Sequence, residues 1–241
     1  MTTDGLGDNG GNGSDTRPSS GNPDDLTLSI EGVRARPGEV TGEITVELNT
    51  TRGLITTHLR PCEGKTGCVV FLGGAGGGIS GPANKVYERI AAELVEVGVS
   101  SLRVEFRKPG EFEESVADAL AGCSFLRGIG GTDAIVVGHS FGGAVAITAA
   151  ELSELVRGVV AMSSQRQGTQ GVHKLDKPIL LIHGGNDEVL DQAAAHDIFQ
   201  RASDPKRIEI LEGASHGLLE KADDVYELLR DFITTEVGSL Q

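Results

Sequence analysis

The segment Gly138-His139-Ser140-Phe141-Gly142 combines a candidate nucleophile with two glycines at fixed spacing. It follows a buried-strand run at residues 134–137 and precedes an alanine-rich helical run. In a G-x-S-x-G turn the serine lies on a strained strand-to-helix corner, and the glycines avoid collisions between a Cβ and neighbouring backbone. The N–H groups at the start of the next helix point to where negative charge develops during acyl transfer. The segment therefore predicts a nucleophilic Ser140, the alternative being a glycine-rich turn with an ordinary surface serine.

A serine hydroxyl is a weak nucleophile unless a base accepts its proton and a carboxylate orients that base. Both partners are expected downstream, in loops that follow predicted strands. Asp187 follows the strand that ends near residue 183, and His216 follows the last strand. Glu188 and Asp191 are alternatives for the acid, but the Gly-x-Asp pattern favours Asp187. The chain order nucleophile, acid, base is the one that converges at a single edge of a doubly wound sheet.

Other side chains near these positions have less specific patterns. His139 and His183 lie inside the turn and at a strand end, so a structural role is predicted for both. Arg107 and Arg166 follow strands on the same predicted edge and could bind a substrate carboxylate. The alternative for either arginine is a side chain that extends into solvent.

Alternating patterns after residue 67 indicate the elements that position these residues. Continuous apolar runs predict buried strands, and apolar residues at helical spacing predict the helices between them. The predicted strands span residues 68–72, 100–106, 134–137, 158–162, 179–183 and 207–211, and the predicted helices span residues 86–97, 112–126, 191–201 and 219–232. This alternation predicts an α/β fold with a mostly parallel, twisted sheet and helices on both faces.

The amino-terminal part of the chain has a different pattern. Short β-prone runs at residues 26–30, 44–48 and 54–59 predict antiparallel strands at the sheet edge. Residues 1–25 are acidic and rich in Gly, Asp and Ser, so they are expected to form a disordered tail. Residues 26–241 are then expected to form a single domain.

Composition narrows the classes of partner. The formal net charge is −14, which disfavours binding to nucleic acid or to an anionic membrane surface. No apolar run reaches the roughly 18 residues of a membrane span, and the amino terminus lacks a signal-peptide profile, so a cytoplasmic location is expected. The three cysteines fit free thiols better than a disulfide framework or a metal site. The acidic excess is also consistent with a surface adapted to salt.

The chain from about residue 27 onward resembles the α/β-hydrolase superfamily, in particular its compact dienelactone hydrolase-like members. The resemblance is carried by three motifs in the same chain order: Gly138-His139-Ser140-Phe141-Gly142, His183-Gly184-Gly185-Asn186-Asp187 and Ser215-His216-Gly217. Two features depart from the pattern. Gly73-Gly74 stands where many members have His-Gly, and dienelactone hydrolase itself has a cysteine where this chain has Ser140.

The resemblance implies an oxyanion hole formed by two backbone N–H groups, one from Ala75 and one from Phe141. Ala75 belongs to a glycine-rich run at residues 73–78 that could be mistaken for a phosphate-binding loop. That run lacks the Lys-Ser/Thr of a P-loop and an acidic residue in a ribose-binding context, so nucleotide binding is not expected. The implied chemistry needs neither a cofactor nor a metal.

These residues together predict a serine hydrolase that cleaves a carboxylic ester or related acyl bond of a small molecule. Residues 163–178 are too short and polar to build a cap domain, so a shallow cleft is expected. Gly76, Arg166 and Val189 are the predicted substrate-binding positions on its rim. The alternatives are an acyltransferase or peptidase with the same triad, or a catalytically silent scaffold that binds a small molecule or partner.

Overall fold

The structure is a computed structural model that describes residues 27–238. Within that range nine strands form one sheet, accompanied by five α-helices. The strands are β1 (Ile30–Pro37), β2 (Ile44–Thr50), β3 (Gly53–Arg60), β4 (Gly67–Leu72), β5 (Val99–Val104), β6 (Asp133–His139), β7 (Val156–Met162), β8 (Ile179–Gly184) and β9 (Lys206–Leu211). The helices are α1 (Pro82–Leu94), α2 (Phe112–Gly128), α3 (Phe141–Leu152), α4 (Ala193–Arg201) and α5 (Ala222–Gly238). The tail predicted for residues 1–25 lies outside the described residues.

The sheet has the strand order β1-β2-β3-β5-β4-β6-β7-β8-β9. The first three strands are antiparallel, and β3 also pairs antiparallel with β5. All pairs from β5 to β9 along that order are parallel. Central β4 illustrates the register, with Val70 opposite both Leu102 of β5 and Val136 of β6. The predicted mostly parallel sheet with antiparallel edge strands is therefore confirmed.

Helices cover both faces of the sheet because its central strands are apolar on both sides. Every residue of β4 is buried. Val70 belongs to a core cluster that includes residues of α2 and α3, whereas neighbouring Phe71 belongs to a second cluster with residues of α1 and α5. Each such large side chain contributes about 1.5–3 kcal/mol on full burial. These two core clusters, one on each face of the sheet, hold the strand ends and the loops after them in fixed positions.

The first strand lies further along the chain than the sequence predicts. It was expected at residues 26–30, but β1 covers Ile30–Pro37. Leu28 and Ile30, which carried the prediction, do pack against the core. The following residues are mostly exposed and show no apolar alternation, because β1 is an edge strand held by backbone pairing with β2.

The connection between β7 and β8 contains no cap domain. Residues 163–178 include one short 3-10 helix, Gln170–Lys174, as their regular structure. This agrees with the prediction that the segment is a loop. None of the helices formed by residues 27–238 has the length and apolarity that a transmembrane helix requires.

Candidate active site

Ser140 lies at the corner between β6 and α3. Its backbone has φ 57° and ψ −118°, a conformation that a residue with a side chain rarely adopts. The Ser140 N–H donates to the carbonyl oxygen of Met162 at 2.8 Å, and the Ser140 carbonyl accepts from the N–H of Gly143 at 3.0 Å. Neighbouring β7 and the first turn of α3 therefore hold the strained residue in place.

The two glycines that flank Ser140 are required by close backbone packing. A Cβ on Gly138 would overlap the carbonyl oxygen of Gly142. A Cβ on Gly142 would overlap the carbonyl oxygen of Gly73 at the end of β4. The sequence interpretation of the G-x-S-x-G spacing is thus confirmed at the level of backbone geometry.

His216 and Asp187 form the hydrogen-bonded pair that the sequence predicts. His216 Nδ1 lies 2.8 Å from Asp187 Oδ2, and the Asp187 side chain is completely buried. The other carboxylate oxygen accepts the N–H groups of Val189 at 2.9 Å and Leu190 at 2.8 Å. Burial alone would raise the pKa of Asp187, but these hydrogen bonds and the one from His216 outweigh it and lower that pKa. Asp187 is therefore an ionised partner for the imidazole.

The alternative acids have other contacts. Glu188 Oε2 accepts the backbone N–H of His216 at 3.2 Å. It therefore contacts the loop Ser215-His216-Gly217, here called the histidine loop, but not the imidazole ring. Asp191 Oδ1 accepts the N–H of Ala193 at 2.7 Å near the start of α4. The geometry therefore favours Asp187 as the orienting carboxylate.

His139 connects the serine turn to the histidine loop. Its Nε2 lies 3.0 Å from the carbonyl oxygen of His216, and the two imidazole ring centres are 4.9 Å apart. Within residues 27–238 no hydrogen bond joins the Ser140 hydroxyl to His216. In enzymes, hydrogen bonds between catalytic groups are often long until substrate binds. His139 is adjacent to Ser140 in the chain, so its contact with His216 keeps His216 close to the serine.

His183 supports the acid, a contact that the sequence did not indicate. Its Nε2 lies 2.8 Å from the carbonyl oxygen of Leu190 and 3.2 Å from Asp187 Oδ2, and its side chain is fully buried. Both neighbours are acceptors, so Nε2 carries the hydrogen. The available signal was the position of His183 at a strand end, four residues before Asp187, but that position alone does not define its partner.

The two predicted oxyanion-hole residues, Ala75 and Phe141, each directly follow a residue at the place where the loop after β4 approaches the serine turn. A Cβ built on Gly74 would lie 3.9 Å from Ser140 Cβ, so the loop after β4 packs against the serine turn. Ala75 is the next residue after Gly74, and Phe141 begins α3 directly after Ser140. The loop is closed by a hydrogen bond from the N–H of Gly77 to the carbonyl oxygen of Gly74 at 3.0 Å.

The predicted substrate-binding residues differ in how the structure holds them. Val189 is 61% exposed, and its N–H donates to Asp187 Oδ1 in the loop that follows β8, here called the acid loop. Arg166 is exposed on the loop after β7, and its carbonyl accepts the hydroxyl of Thr169 at 2.7 Å. Gly76 is in the loop after β4, where a Cβ would meet no atom within 4 Å. No contact in the described residues joins these three positions directly to Ser140.

Arg107 is neither a substrate clamp nor a solvent-exposed arginine. Its side chain is 7% exposed, with Nε 2.5 Å from Asp118 Oδ1 and Nη2 2.8 Å from Glu114 Oε2. Nη1 also donates to the carbonyl oxygen of Arg52. These contacts use the guanidinium to join α2 to the β2–β3 turn.

A cleft of about 310 Å³ is lined by His139, the residue before Ser140. Its walls are residues from the loop between β4 and α1, together with Pro82 at the start of α1, His139 and Gly217. The N–H of Ala83 donates to the carbonyl oxygen of Gly217 at 2.8 Å, which joins the start of α1 to the histidine loop. Residues 27–238 contain no cluster of three or more His, Cys, Asp or Glu side chains arranged to hold a metal ion.

Solved structures share this fold at low sequence identity. Est1E from Butyrivibrio proteoclasticus aligns with a TM-score of 0.69 and 15% identity over 80% of this chain and 99% of its own. Dienelactone hydrolase from Anabaena variabilis aligns with a TM-score of 0.68 and 18% identity over 85% and 99%. XC6422 from Xanthomonas campestris, described as an α/β serine hydrolase without lid, has a TM-score of 0.63 and 20% identity over 85% and 98%. These similarities establish an α/β-hydrolase fold.

Curated relatives match over a shorter region. Alpha/beta hydrolase domain-containing protein 17B is 35% identical over 69 residues in Xenopus tropicalis and 33% identical over 69 residues in Homo sapiens. The match covers 29% of this chain and about a quarter of the length of those relatives. The family model for the dienelactone hydrolase family matches residues 86–231, which is more than half of the chain and includes Ser140, Asp187 and His216. This protein therefore belongs to the dienelactone hydrolase family.

Proposed function

We propose that this protein is a hydrolase that cleaves a carboxylic ester or related acyl bond through an acyl-enzyme formed on Ser140. The observation that carries the proposal is the buried pair of His216 and Asp187, joined at 2.8 Å, beside the strained turn that presents Ser140. A nucleophile, a base and an orienting carboxylate are the components that serine acyl transfer requires. In the proposed enzyme these three residues are the catalytic triad.

The reaction begins with attack of Ser140 Oγ on the carbonyl carbon of the ester, while His216 Nε2 accepts the hydroxyl proton. The carbonyl oxygen becomes an oxyanion, which accepts hydrogen bonds from the N–H groups of Ala75 and Phe141. Asp187 keeps a hydrogen on Nδ1 of His216 and stabilises the imidazolium that forms. This step leaves one proton on the base and the acyl group bonded to Ser140.

Collapse of the tetrahedral intermediate breaks the bond to the leaving alcohol, which takes the proton from His216. A water molecule then attacks the acyl-enzyme and gives a proton to His216. A second collapse releases the carboxylic acid and returns that proton to Ser140 Oγ. The enzyme is thereby restored without a redox step.

The rim of the proposed site favours small or polar substrates. Residues 163–178 form a loop and not a cap, and Val189 is exposed beside the acid. Gly76, Arg166 and Val189 are the proposed rim contacts. Little apolar surface is available there to bury a long acyl chain.

The proposed partner is a small molecule in the cytoplasm, bound by a single domain over residues 26–241. The formal charge of −14 supports this, because it opposes association with nucleic acid and with anionic membrane surfaces. An acyltransferase or peptidase would use the same triad with another acceptor or another acyl bond. A silent scaffold would bind its ligand without forming an acyl-enzyme.

The test is covalent labelling with a fluorophosphonate, followed by hydrolysis of ester, thioester and amide substrates. Ser140→Ala should abolish labelling and lower kcat by about 10⁴-fold or more, because the acyl-enzyme cannot form. Ser124→Ala, which removes an exposed hydroxyl from α2, is the matched control and should retain both the labelling and the kcat of wild type. Labelling that survives in Ser140→Ala would overturn the proposal.

The substrate panel then separates the alternatives. Turnover of esters in water supports the hydrolase. Labelling without ester turnover, together with product formation only when an amine or alcohol acceptor is added, would support an acyltransferase. A folded wild-type protein with neither labelling nor turnover would support the scaffold.

A further inference from the structure

The tautomer of His139 follows from its hydrogen bond. Its Nε2 lies 3.0 Å from the carbonyl oxygen of His216, and a carbonyl oxygen can only accept. The hydrogen of a neutral ring must therefore be on Nε2, which leaves a lone pair on Nδ1. Burial lowers the pKa of His139 to about 4, so the neutral ring prevails near pH 7. His139 is thus a donor toward the histidine loop and an acceptor on its other side.

The acceptor side of His139 faces Gly74, and both residues line the same cleft. His139 lines this cleft of about 310 Å³, and within residues 27–238 its Nδ1 has no hydrogen-bond partner. A Cβ built on Gly74 would lie 3.8 Å from His139 Nδ1 and 3.9 Å from Ser140 Cβ. One small space in front of Gly74 is therefore within contact distance of both the unpaired acceptor and the serine side chain.

The other residues that line the cleft provide few side-chain groups that could bind a polar ligand. They consist of glycines and Ser80 from the loop between β4 and α1, together with Pro82 at the start of α1 and Gly217. The Ser80 hydroxyl already donates to Glu88 Oε1 at 2.5 Å. No Asp, Glu, Lys or Arg side chain lines the cleft among residues 27–238. The cleft suits a neutral group, and an unpaired acceptor in it suits a group that carries a hydrogen-bond donor.

We propose that His139 is a specificity-determining residue whose Nδ1 accepts a hydrogen bond from a hydroxyl or amide N–H on the substrate, next to the bond that is cleaved. The inference rests on the proposed acyl-enzyme chemistry at Ser140 and names the substrate class of that site: esters with a neutral donor group on the acyl or alcohol side. A site that hydrogen-bonds such a group discriminates against the analogue that lacks it.

The test compares pairs of esters in which a hydroxyl replaces a methyl group of similar size. 4-Nitrophenyl glycolate and 4-nitrophenyl propanoate differ on the acyl side, and 2-hydroxyethyl acetate and propyl acetate differ on the alcohol side. The ratio of kcat/KM within each pair is divided by the ratio of hydroxide-catalysed rates, which removes the difference in intrinsic reactivity. Wild-type enzyme should prefer the hydroxyl ester about fivefold in at least one pair, the effect of one neutral hydrogen bond.

Two variants assign the preference to Nδ1. The amide nitrogen of glutamine can replace Nε2 as the donor to His216, but glutamine has no acceptor at the Nδ1 position, so His139→Gln should lose the hydroxyl preference. The side-chain oxygen of asparagine falls near Nδ1, so His139→Asn should retain it. His196→Gln, at an exposed histidine of α4, is the matched control and should behave as wild type.

The outcomes separate this inference from the proposed function. Absence of fluorophosphonate labelling and of ester turnover in wild-type enzyme would overturn both. Turnover with normalised ratios close to one in both pairs would overturn only the role of His139. A preference that is equal in wild type and His139→Gln, or that is lost in His139→Asn, would likewise reject Nδ1 as the acceptor.

Discussion

At the scale of single residues, Ser140 carries strain in its own backbone. A residue with a Cβ in such a conformation is less stable by about 1–3 kcal/mol than in an ordinary one. The surrounding contacts, from Met162 to the first turn of α3, hold it there. The strain is consistent with a side chain that must project from the sheet edge, and it has a measurable consequence for stability.

The comparison of glycine and alanine at position 140 should reveal this strain. We expect Ser140→Gly to melt above Ser140→Ala by about 2–4 °C, because glycine tolerates φ 57° and alanine does not. The same pair at exposed Ser124 of α2 should give the opposite order, since glycine is the poorer helix former. Calorimetry of the four variants checks the sign at each site. If alanine is the more stable substitution at both positions, Ser140 is not strained.

His139 should make stability depend on pH. Burial lowers its pKa to about 4 in the folded protein, below the value of about 6.5 for an unperturbed histidine. Between these values the unfolded chain binds the extra proton, so the contribution is fully present above pH 6.5 and is lost as pH falls toward 4. The charges of His216, Asp187 and His183 also act on the His139 ring.

A difference measurement isolates His139 from those neighbours. The melting temperature should fall less between pH 7 and pH 4.5 in His139→Gln than in wild type, because glutamine does not titrate. His196→Gln, in an exposed position, should fall as much as wild type. Equal slopes for wild type and His139→Gln would show that the ring is not held neutral by the fold.

At the scale of elements, the loop between β7 and β8 determines access to the proposed site. Residues 163–178 form one 3-10 turn and no helix long enough to present an apolar face. We therefore expect kcat/KM for 4-nitrophenyl esters to reach its maximum at short acyl chains. An apolar tunnel would instead raise kcat/KM with each added CH₂, because each buried CH₂ contributes about 0.8 kcal/mol. A rise that continues to long chains, or a jump at the onset of micelle formation, would indicate an apolar tunnel or lid.

The sequence predicts motifs of adjacent residues better than it predicts contacts between residues that are far apart in the chain. The serine turn, the acid loop and the histidine loop are predictable because each depends on a few adjacent residues and on the strand before it. The buried contacts of Arg107 are not, because Asp118 and Arg52 reach it only after α2 and the β2–β3 turn have packed. The support of Asp187 by His183 similarly depends on how the acid loop turns back over its strand.

At the scale of the whole molecule, the dominant property is its negative charge. The formal charge of −14 produces repulsion that opposes the compact state, and this repulsion acts over about 30 Å at 10 mM salt but only about 8–10 Å near physiological ionic strength. Opposite charges do attract within the fold. Pairs such as Arg103 and Glu43 are buried, however, so salt screens them less than it screens the surface.

Added salt should therefore stabilise this protein. We expect the melting temperature to rise steadily as NaCl increases from 10 mM to 500 mM, because surface repulsion is removed while the buried pairs keep their attraction. A triple variant with Glu39→Lys, Glu96→Lys and Glu227→Lys, all at exposed positions, raises the formal charge by six units without altering the core. It should melt higher than wild type at 10 mM NaCl and converge with it at 500 mM. Two results would contradict this expectation. The wild-type melting temperature could fall with NaCl, or it could stay constant and equal that of the variant at every NaCl concentration. Either result would mean that surface repulsion does not limit stability, and it would remove the argument for adaptation to salt.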